Sequence, residues 1–271
     1  MDRTVNAPNR TAGDRPTDDA FLGGALNVLQ PASGYRAGLD AVMLAAAVMA
    51  EGPARVVDVG AGVGTAGLCV ARRVASARVT LFEKEPALVR LARENVERNG
   101  LVDRVRVLEG EIGLSSETAL EPESFDHVIA NPPFHDADGG TLAPDRLKAA
   151  AHAMPDQGLE RWARFMARLA VPGGSMTVIH KAEALSRLLA AFEGRFGALQ
   201  ILPLHPRASA PAHRIIVAGC KGSRAALTLL PGFVLHGDDG AFTPQAQAIL
   251  RAGAALPMGR GGALAAAASM P

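Results

Sequence analysis

An α/β fold with a largely parallel sheet covered on both faces is what this sequence predicts, and three observations carry the prediction. Short apolar runs rich in β-branched residues alternate with stretches of helical period from residue 55 to residue 218. A glycine-rich turn follows the first of those runs directly. The composition, 48% hydrophobic but only 4% aromatic, requires an aliphatic, alanine-rich core, and 271 residues supply enough chain to bury one.

The elements follow in order. Residues 1–20 are polar and punctuated by proline, and they are expected to form a disordered tail. Residues 21–54 form an N-terminal extension. In it FLGGALNVLQ (21–30) suits a short hairpin, and LDAVMLAAAVM (39–49) suits a buried helix ended by Gly52-Pro53. Residues 55–251 hold the strand–helix alternation. Strands are expected at 55–59, 77–82, 105–108, 125–130, 175–180, 198–204 and 213–218, and helices at 65–74, 86–99, 158–169 and 181–192. The helix at 86–99 starts on Pro86 and stops before Gly100. Pro172-Gly173-Gly174 reads as a turn ahead of the fifth strand, and residues 252–271 as a flexible C-terminal tail.

Several function classes are excluded. The longest apolar run, residues 41–50, is about half of what a membrane crossing needs. No apolar stretch follows a basic start, so no signal peptide is expected. Two cysteines, Cys69 and Cys220, make neither a disulfide framework nor a metal site, which points to a reducing, cytoplasmic setting. The net charge of +1 is uneven: residues 194–271 hold seven basic against two acidic residues, and residues 1–193 hold 21 against 25. That asymmetry hints at a polyanion-facing C-terminal surface, and equally suits a merely solvated one.

Asp58-Val-Gly60-Ala-Gly62-Val-Gly64 lies between an expected strand and helix. Glycines there let the backbone turn tightly and approach a ligand at a helix N-terminus. Gly62, Gly64 and Gly67 also spell the dinucleotide fingerprint G-x-G-x-x-G, and a tight turn without ligand fits as well. An acidic residue two positions before Gly60 and a third close glycine oppose the dinucleotide reading. The resulting D-x-G-x-G-x-G resembles motif I of the Rossmann-like S-adenosylmethionine-dependent methyltransferases. Glu83, 23 residues after Gly60 at the end of the second strand, stands where a carboxylate can hydrogen-bond ribose hydroxyls, or in a solvated turn with Lys84 and Glu85. The resemblance implies an acid near the adenine amino group after the third strand. Glu111 fits, with Ile112 packing on the ring, although Asp is commoner there. Lys84 replaces the family's usual apolar residue.

Asn131-Pro132-Pro133-Phe134 follows the fourth strand. It resembles motif IV, [N/D/S]-P-P-[Y/F/W], of methyltransferases that act on planar amino nitrogens. The chemistry explains the residue types. An exocyclic amino nitrogen delocalises its lone pair into the ring and is a poor nucleophile. Two acceptors, the Asn131 side-chain oxygen and the Pro132 carbonyl, can hold its two N–H bonds and turn the lone pair toward the methyl donor. Proline fixes the carbonyl and Phe134 stacks on the planar group. Catalysis is then positioning and electrostatics, with no histidine base needed. His127 and His135 are read as structural or solvated.

Residues 21–251 as a whole resemble the bacterial tRNA adenine-N6 methyltransferases. Gln30-Pro31 through Arg36, followed by Gly38-Leu39-Asp40-Ala41-Val42-Met43-Leu44, matches that group's N-terminal segment. The resemblance implies a seven-stranded class I methyltransferase fold, mostly parallel with an antiparallel last strand. It also implies S-adenosylmethionine as cofactor, no metal, no membrane, and an RNA substrate, most simply tRNA. Arg36 and Asp40 become candidate cofactor contacts, with helix capping as the alternative for Asp40. Pro133, Arg207, Arg214, Lys221 and Arg224 become candidate substrate contacts, the cations touching phosphates. Arg161, Arg164 and Arg168 form a stripe on one helix face, binding or simply solvated. A ribosomal RNA guanine-N2 enzyme stays open. A protein glutamine-N5 enzyme would carry a helical domain ahead of the sheet, a DNA enzyme a target-recognition domain. An inactive cofactor- or RNA-binding module is opposed by the intact Asn131 and Phe134.

Overall fold

A computed structural model of the chain describes residues 15–33, 36–50, 52–113, 120–133 and 157–259. Phe134 and His135 lie outside the described residues, as does most of the expected N-terminal tail. The described part of that tail differs from expectation. Thr17–Phe21 is a strand, β1, paired antiparallel with β2, Leu26–Gln30, across a 3-10 turn. Ion pairs explain why so polar a stretch is held: Asp19 meets Arg36 at 2.6 Å and Asp18 meets Arg98 at 2.6 Å.

The first helix is α1, Leu39–Ala46, which ends earlier than Gly52-Pro53 would place it. Then come β3, Arg55–Val59; α2, Thr65–Arg73; β4, Arg78–Glu83; α3, Pro86–Arg98; β5, Val105–Glu109; and β6, Phe125–Ala130. The C-terminal half continues with α4, Gln157–Leu169; β7, Ala170–Lys181; α5, Leu185–Phe192; β8, Phe196–His205; and β9, Arg214–Lys221. Two short strands, β10, Thr228–Leu229, and β11, Phe233–Val234, precede α6, Pro244–Ala252. The expected turn at Pro172-Gly173-Gly174 lies inside β7. There the register against β6 slips between Phe125↔Ala170 and His127↔Ser175, so the glycines serve a bulge instead of a strand break.

The sheet runs β10-β8-β9-β7-β6-β3-β4-β5, with β11 also on β8. β9 alone runs against its neighbours, so the last of the seven long strands is antiparallel as expected; β10 and β11 extend the edge unforeseen. One aliphatic core packs α1, α2 and the hairpin on one face, with Leu81, Ile129 and Ile179 from the strands. The other packs α4 and α5 on Val57, Val128 and Val178, with Phe82 and Phe165 stacked at 5.5 Å. β2 does not join the large sheet. Its edge is tied to α3 by Asn95, whose side-chain oxygen accepts from Leu29 N–H at 2.7 Å. The Asn95 amide donates to the carbonyls of Leu29 at 3.0 Å and Val63 at 3.1 Å.

The C-terminal boundary also differs. Beyond α6, residues 253–259 run over the molecule with Leu256 and Met258 buried, and Leu256 N–H donates to the Ala46 carbonyl at 2.9 Å. Two apolar side chains in an otherwise small-residue stretch are enough to hold it down. Residues 260–271 lie outside the described residues.

Candidate active site at the carboxyl ends of the central strands

Strand order reverses between β3 and β6, the place where open α/β sheets form a crevice beyond the strand ends. The last paired residues there are Val59 and Ala130, so Gly60 and Asn131 leave neighbouring strands at the same level. The two motifs, 71 positions apart in sequence, thus meet about one strand spacing apart, ~4.8 Å.

The glycine loop is held on all sides. The N–H groups of Gly60 and Ala61 donate to the Phe82 carbonyl at 2.8 and 3.0 Å. Gly60 has φ +66°, and a Cβ there would lie 2.5 Å from Trp162 Cη2 of α4, so glycine is required twice over. Gly62 faces open space, and Gly64 caps α2. Gly67, inside α2, lets that helix close on β4, since a Cβ would overlap Leu81. Asp58, 2% exposed, accepts the Gly67 N–H at 2.8 Å. Burial pushes its carboxyl up to about 7; the nearby Glu83 charge adds to the shift and the Gly67 N–H opposes it.

Glu83 ends β4 with its carboxylate buried over this loop. One oxygen accepts from Gly62 N–H at 2.8 Å, the other from Lys84 and Glu85 N–H at 2.9 Å each. The carboxylate therefore shapes the turn at the end of β4. Beyond β5, Ile112 packs half-buried on the α4 side, while Glu111 is exposed and meets Arg161 at 3.4 Å. Lys84 is exposed.

Asn131 is half-buried with its side-chain oxygen shielded from solvent, Pro132 is buried and Pro133 exposed. His127, inside β6, lies 2.6 Å from the Ser175 hydroxyl across the ladder; burial lowers its pKa, as befits a structural residue. His180, 2% exposed, lies near the end of β7, and burial lowers its pKa. The sequence reading passed over it, as it passed over Trp162. Counting two residues on from the matched ends of β6 and β7 would have placed His180 level with Pro132.

The remaining candidates divide. Arg36 is bound to Asp19, which also accepts from Gln30 at 2.7 Å. Asp40 lies in the first turn of α1 and meets Arg214 at 2.9 Å; Gly38 holds the capping position. Arg214 begins β9 beside Lys181, so this pair and exposed Arg207 stand on the same edge as Asn131. Lys221 and Arg224 stand at the opposite edge. Lys221 meets Glu123 and the Ala170 carbonyl, each at 2.8 Å, and Arg224 follows Ser223, which packs on Gly197 at the start of β8. The arginine stripe is partly neutralised too, with Glu160 meeting Arg164 at 2.9 Å and Arg195 at 2.7 Å. The basic C-terminal third is thus no continuous patch: three of its cations are paired with acids from earlier in the chain. Among the described residues no cluster of His, Cys, Asp or Glu could hold a metal, and no helix is long and apolar enough to cross a membrane.

Residues 38–161 match the family model of the methyltransferase small domain. Over 178 residues the chain is 31% identical to the tRNA1(Val) (adenine(37)-N6)-methyltransferase of Porphyromonas gingivalis, spanning 64% of this chain and 69% of that one. The like-named protein of Shewanella sediminis is 29% identical over 149 residues, 54% of this chain and 60% of that one. Among solved structures, a protein of Agrobacterium tumefaciens described as a predicted O-methyltransferase aligns with TM-score 0.69 and 32% identity. The alignment covers 80% of this chain and 98% of that one.

Proposed function

The chain belongs to the family of S-adenosylmethionine-dependent methyltransferases that includes the Porphyromonas gingivalis relative, and from that premise we propose that it methylates N6 of an adenine in tRNA. The fit of the cofactor rests on an open cradle: Gly62 faces free space beside a buried carboxylate whose position suits a ribose diol. When bound, S-adenosylmethionine supplies an electrophilic methyl group on a sulfonium. Asp58, Gly60, Gly62 and Gly64 form the floor under it. Glu83 accepts the ribose hydroxyls, Ile112 packs on the adenine ring and Glu111 meets its amino group. Arg36 and Asp40, held in place by Asp19 and Arg214, are the contacts that the N-terminal segment offers the cofactor.

The observation that carries the reaction class is Asn131 at the strand end next to the glycine loop, followed by two prolines. The Asn131 oxygen and the Pro132 carbonyl are two acceptors for the two N–H bonds of one planar amino group. An alcohol needs a base instead, which separates this site from an O-methyltransferase. Phe134, next in the motif, stacks on the target base, which must be splayed out of its loop. Adenine is favoured over guanine or glutamine by the names of the relatives, and so is tRNA; a tRNA substrate would be met in the cytoplasm. Pro133, Arg207 and Arg214 border the side from which RNA arrives.

The test is methylation of tRNA by the purified chain with labelled cofactor, the product nucleoside identified by mass spectrometry. N6-methyladenosine is expected. Asn131→Ala should lower turnover about 10²–10³-fold, the usual scale for one preorganised electrostatic contact. S-adenosylhomocysteine affinity should stay within twofold. Parallel loss of both, or methylation of another nucleoside, refutes the assignment.

A further inference from the structure

The end of α2 away from the glycine loop carries Arg72 and Arg73, and the last turn of α6 carries Arg251. All three border one cavity of about 220 Å3, together with Leu22 and Ala25 of the hairpin turn and with Gly253. α2 rises about 12 Å from Thr65 to Arg73, so the cavity lies at the opposite end of that helix from the cofactor cradle. Two glycines bring its walls together. A Cβ on Gly23 would stand 2.7 Å from the Arg251 carbonyl, and one on Gly253 would stand 3.1 Å from Arg73 Cγ.

Helix C-termini favour cations, which accounts for each arginine singly. It does not account for three around one cavity. Among the described residues none of the three is paired with an acid. Arg72 is not needed to cap α2 either, because Arg104 donates to the Ala71 carbonyl there at 2.9 Å. Arg73 is the most constrained. Its Nε donates to the Gly253 carbonyl at 2.9 Å and its Nη1 to the Ala45 carbonyl, so the ends of α6 and α1 fix the guanidinium plane. Nη2 has no acceptor among the described residues. Half-burial strips water from this charge and lowers its pKa. The Cys69 thiol beside it is pushed up to about 12 by its own burial and stays neutral, so it is no counter-ion.

We propose that Arg72, Arg73 and Arg251 form an anion site that takes a single phosphate group. Guanidinium forks match phosphate oxygens, and three around one cavity hold a charge that one alone would not. The volume is below the ~300 Å3 at which small-molecule pockets begin, which fits a phosphate group and not a whole nucleotide. RNA backbone and free phosphate share that chemistry. Bound there, either one joins the hairpin turn to α2 and α6.

Two binding measurements on the full chain test the site, and neither reads turnover, so the result does not depend on the methyl-transfer reading. One is isothermal titration with inorganic phosphate at an ionic strength held constant by chloride. The other is filter binding of tRNA across a salt series. Arg72→Gln/Arg251→Gln is the diagnostic variant, because both side chains are exposed and the contacts of Arg73 stay intact. Arg90→Gln/Arg93→Gln, which changes two exposed arginines of α3 outside the cavity, is the charge-matched control. Both are surface changes that retain the fold. Saturable phosphate binding should weaken about 10-fold in the diagnostic variant and less than twofold in the control. If RNA is the source, tRNA affinity should also fall about 10-fold and the slope of log K against log salt should shrink by about 1. Weakening with phosphate alone identifies free phosphate as the ligand, and weakening with tRNA identifies the RNA backbone. No weakening with either probe, or equal weakening in the control, overturns the site.

Discussion

Glu83→Gln isolates what the carboxylate does for the glycine loop. The change preserves shape and removes charge. The amide oxygen can keep the two hydrogen bonds from Lys84 and Glu85, both made to one oxygen. The NH2 group then faces the Gly62 N–H, which now donates at 2.8 Å to the other oxygen, so a donor meets a donor. One hydrogen bond to a charged acceptor is lost, worth ~1.5–3 kcal/mol, and a part-buried N–H is left without its partner. If the cofactor requires the loop as it stands, that energy comes out of binding, a factor of about 10 to 150. Isothermal titration with S-adenosylhomocysteine should show a loss of that size, and calorimetry a melting temperature lower by roughly 3–12 °C. NADH should bind neither protein. Affinity within twofold of wild type would mean that Glu83 neither shapes the loop nor meets the ligand.

Asp58→Asn tests the buried carboxyl. Its native pKa near 7 exceeds the unfolded value of about 3.9, so the native state binds more protons between those limits and wild-type stability falls as pH rises through them. The Asn variant should lack that slope, and identical melting temperatures against pH for both proteins would contradict it. Arg207→Ala and Arg214→Ala should raise KM for RNA several-fold, whereas Lys221→Ala and Arg224→Ala, at the far edge, should leave it within twofold. A larger effect at the far edge would relocate the RNA. The half-exposed Lys221–Glu123 pair should contribute no more than about 1 kcal/mol to stability, measured by urea unfolding.

What the sequence made legible was local. The β-branched runs, the helix opening on Pro86 and the D-x-G-x-G-x-G turn are patterns within a dozen residues, and they appear where expected. Asn131 and the glycine loop could be joined only through the resemblance to a known sheet order. Side-chain ties such as Asn95 to Leu29 and Asp40 to Arg214 link positions 66 and 174 residues apart, and no periodicity records them. α6 is a different case. Thr243-Pro244 is a regular helix start and Gly253 a regular stop, and the Thr243 hydroxyl does accept the Ala246 N–H. The signal was present but its apolar face was weak. The +5 of the C-terminal third does not form one patch, because charge counted along a chain ignores which acids fold against it.

Asn95 joins two places that sequence keeps far apart. Its single amide serves both the β2 edge and the Val63 carbonyl of the glycine loop, so neither can open locally without loosening the other. Hairpin and loop then behave as one cooperative unit of partial unfolding. Reciprocity follows: a ligand that holds the loop closed also slows exchange of the Leu29 amide, and fraying of the N-terminal strands is felt as weaker cofactor binding. The segment before the sheet is thereby a determinant of affinity through the loop it steadies.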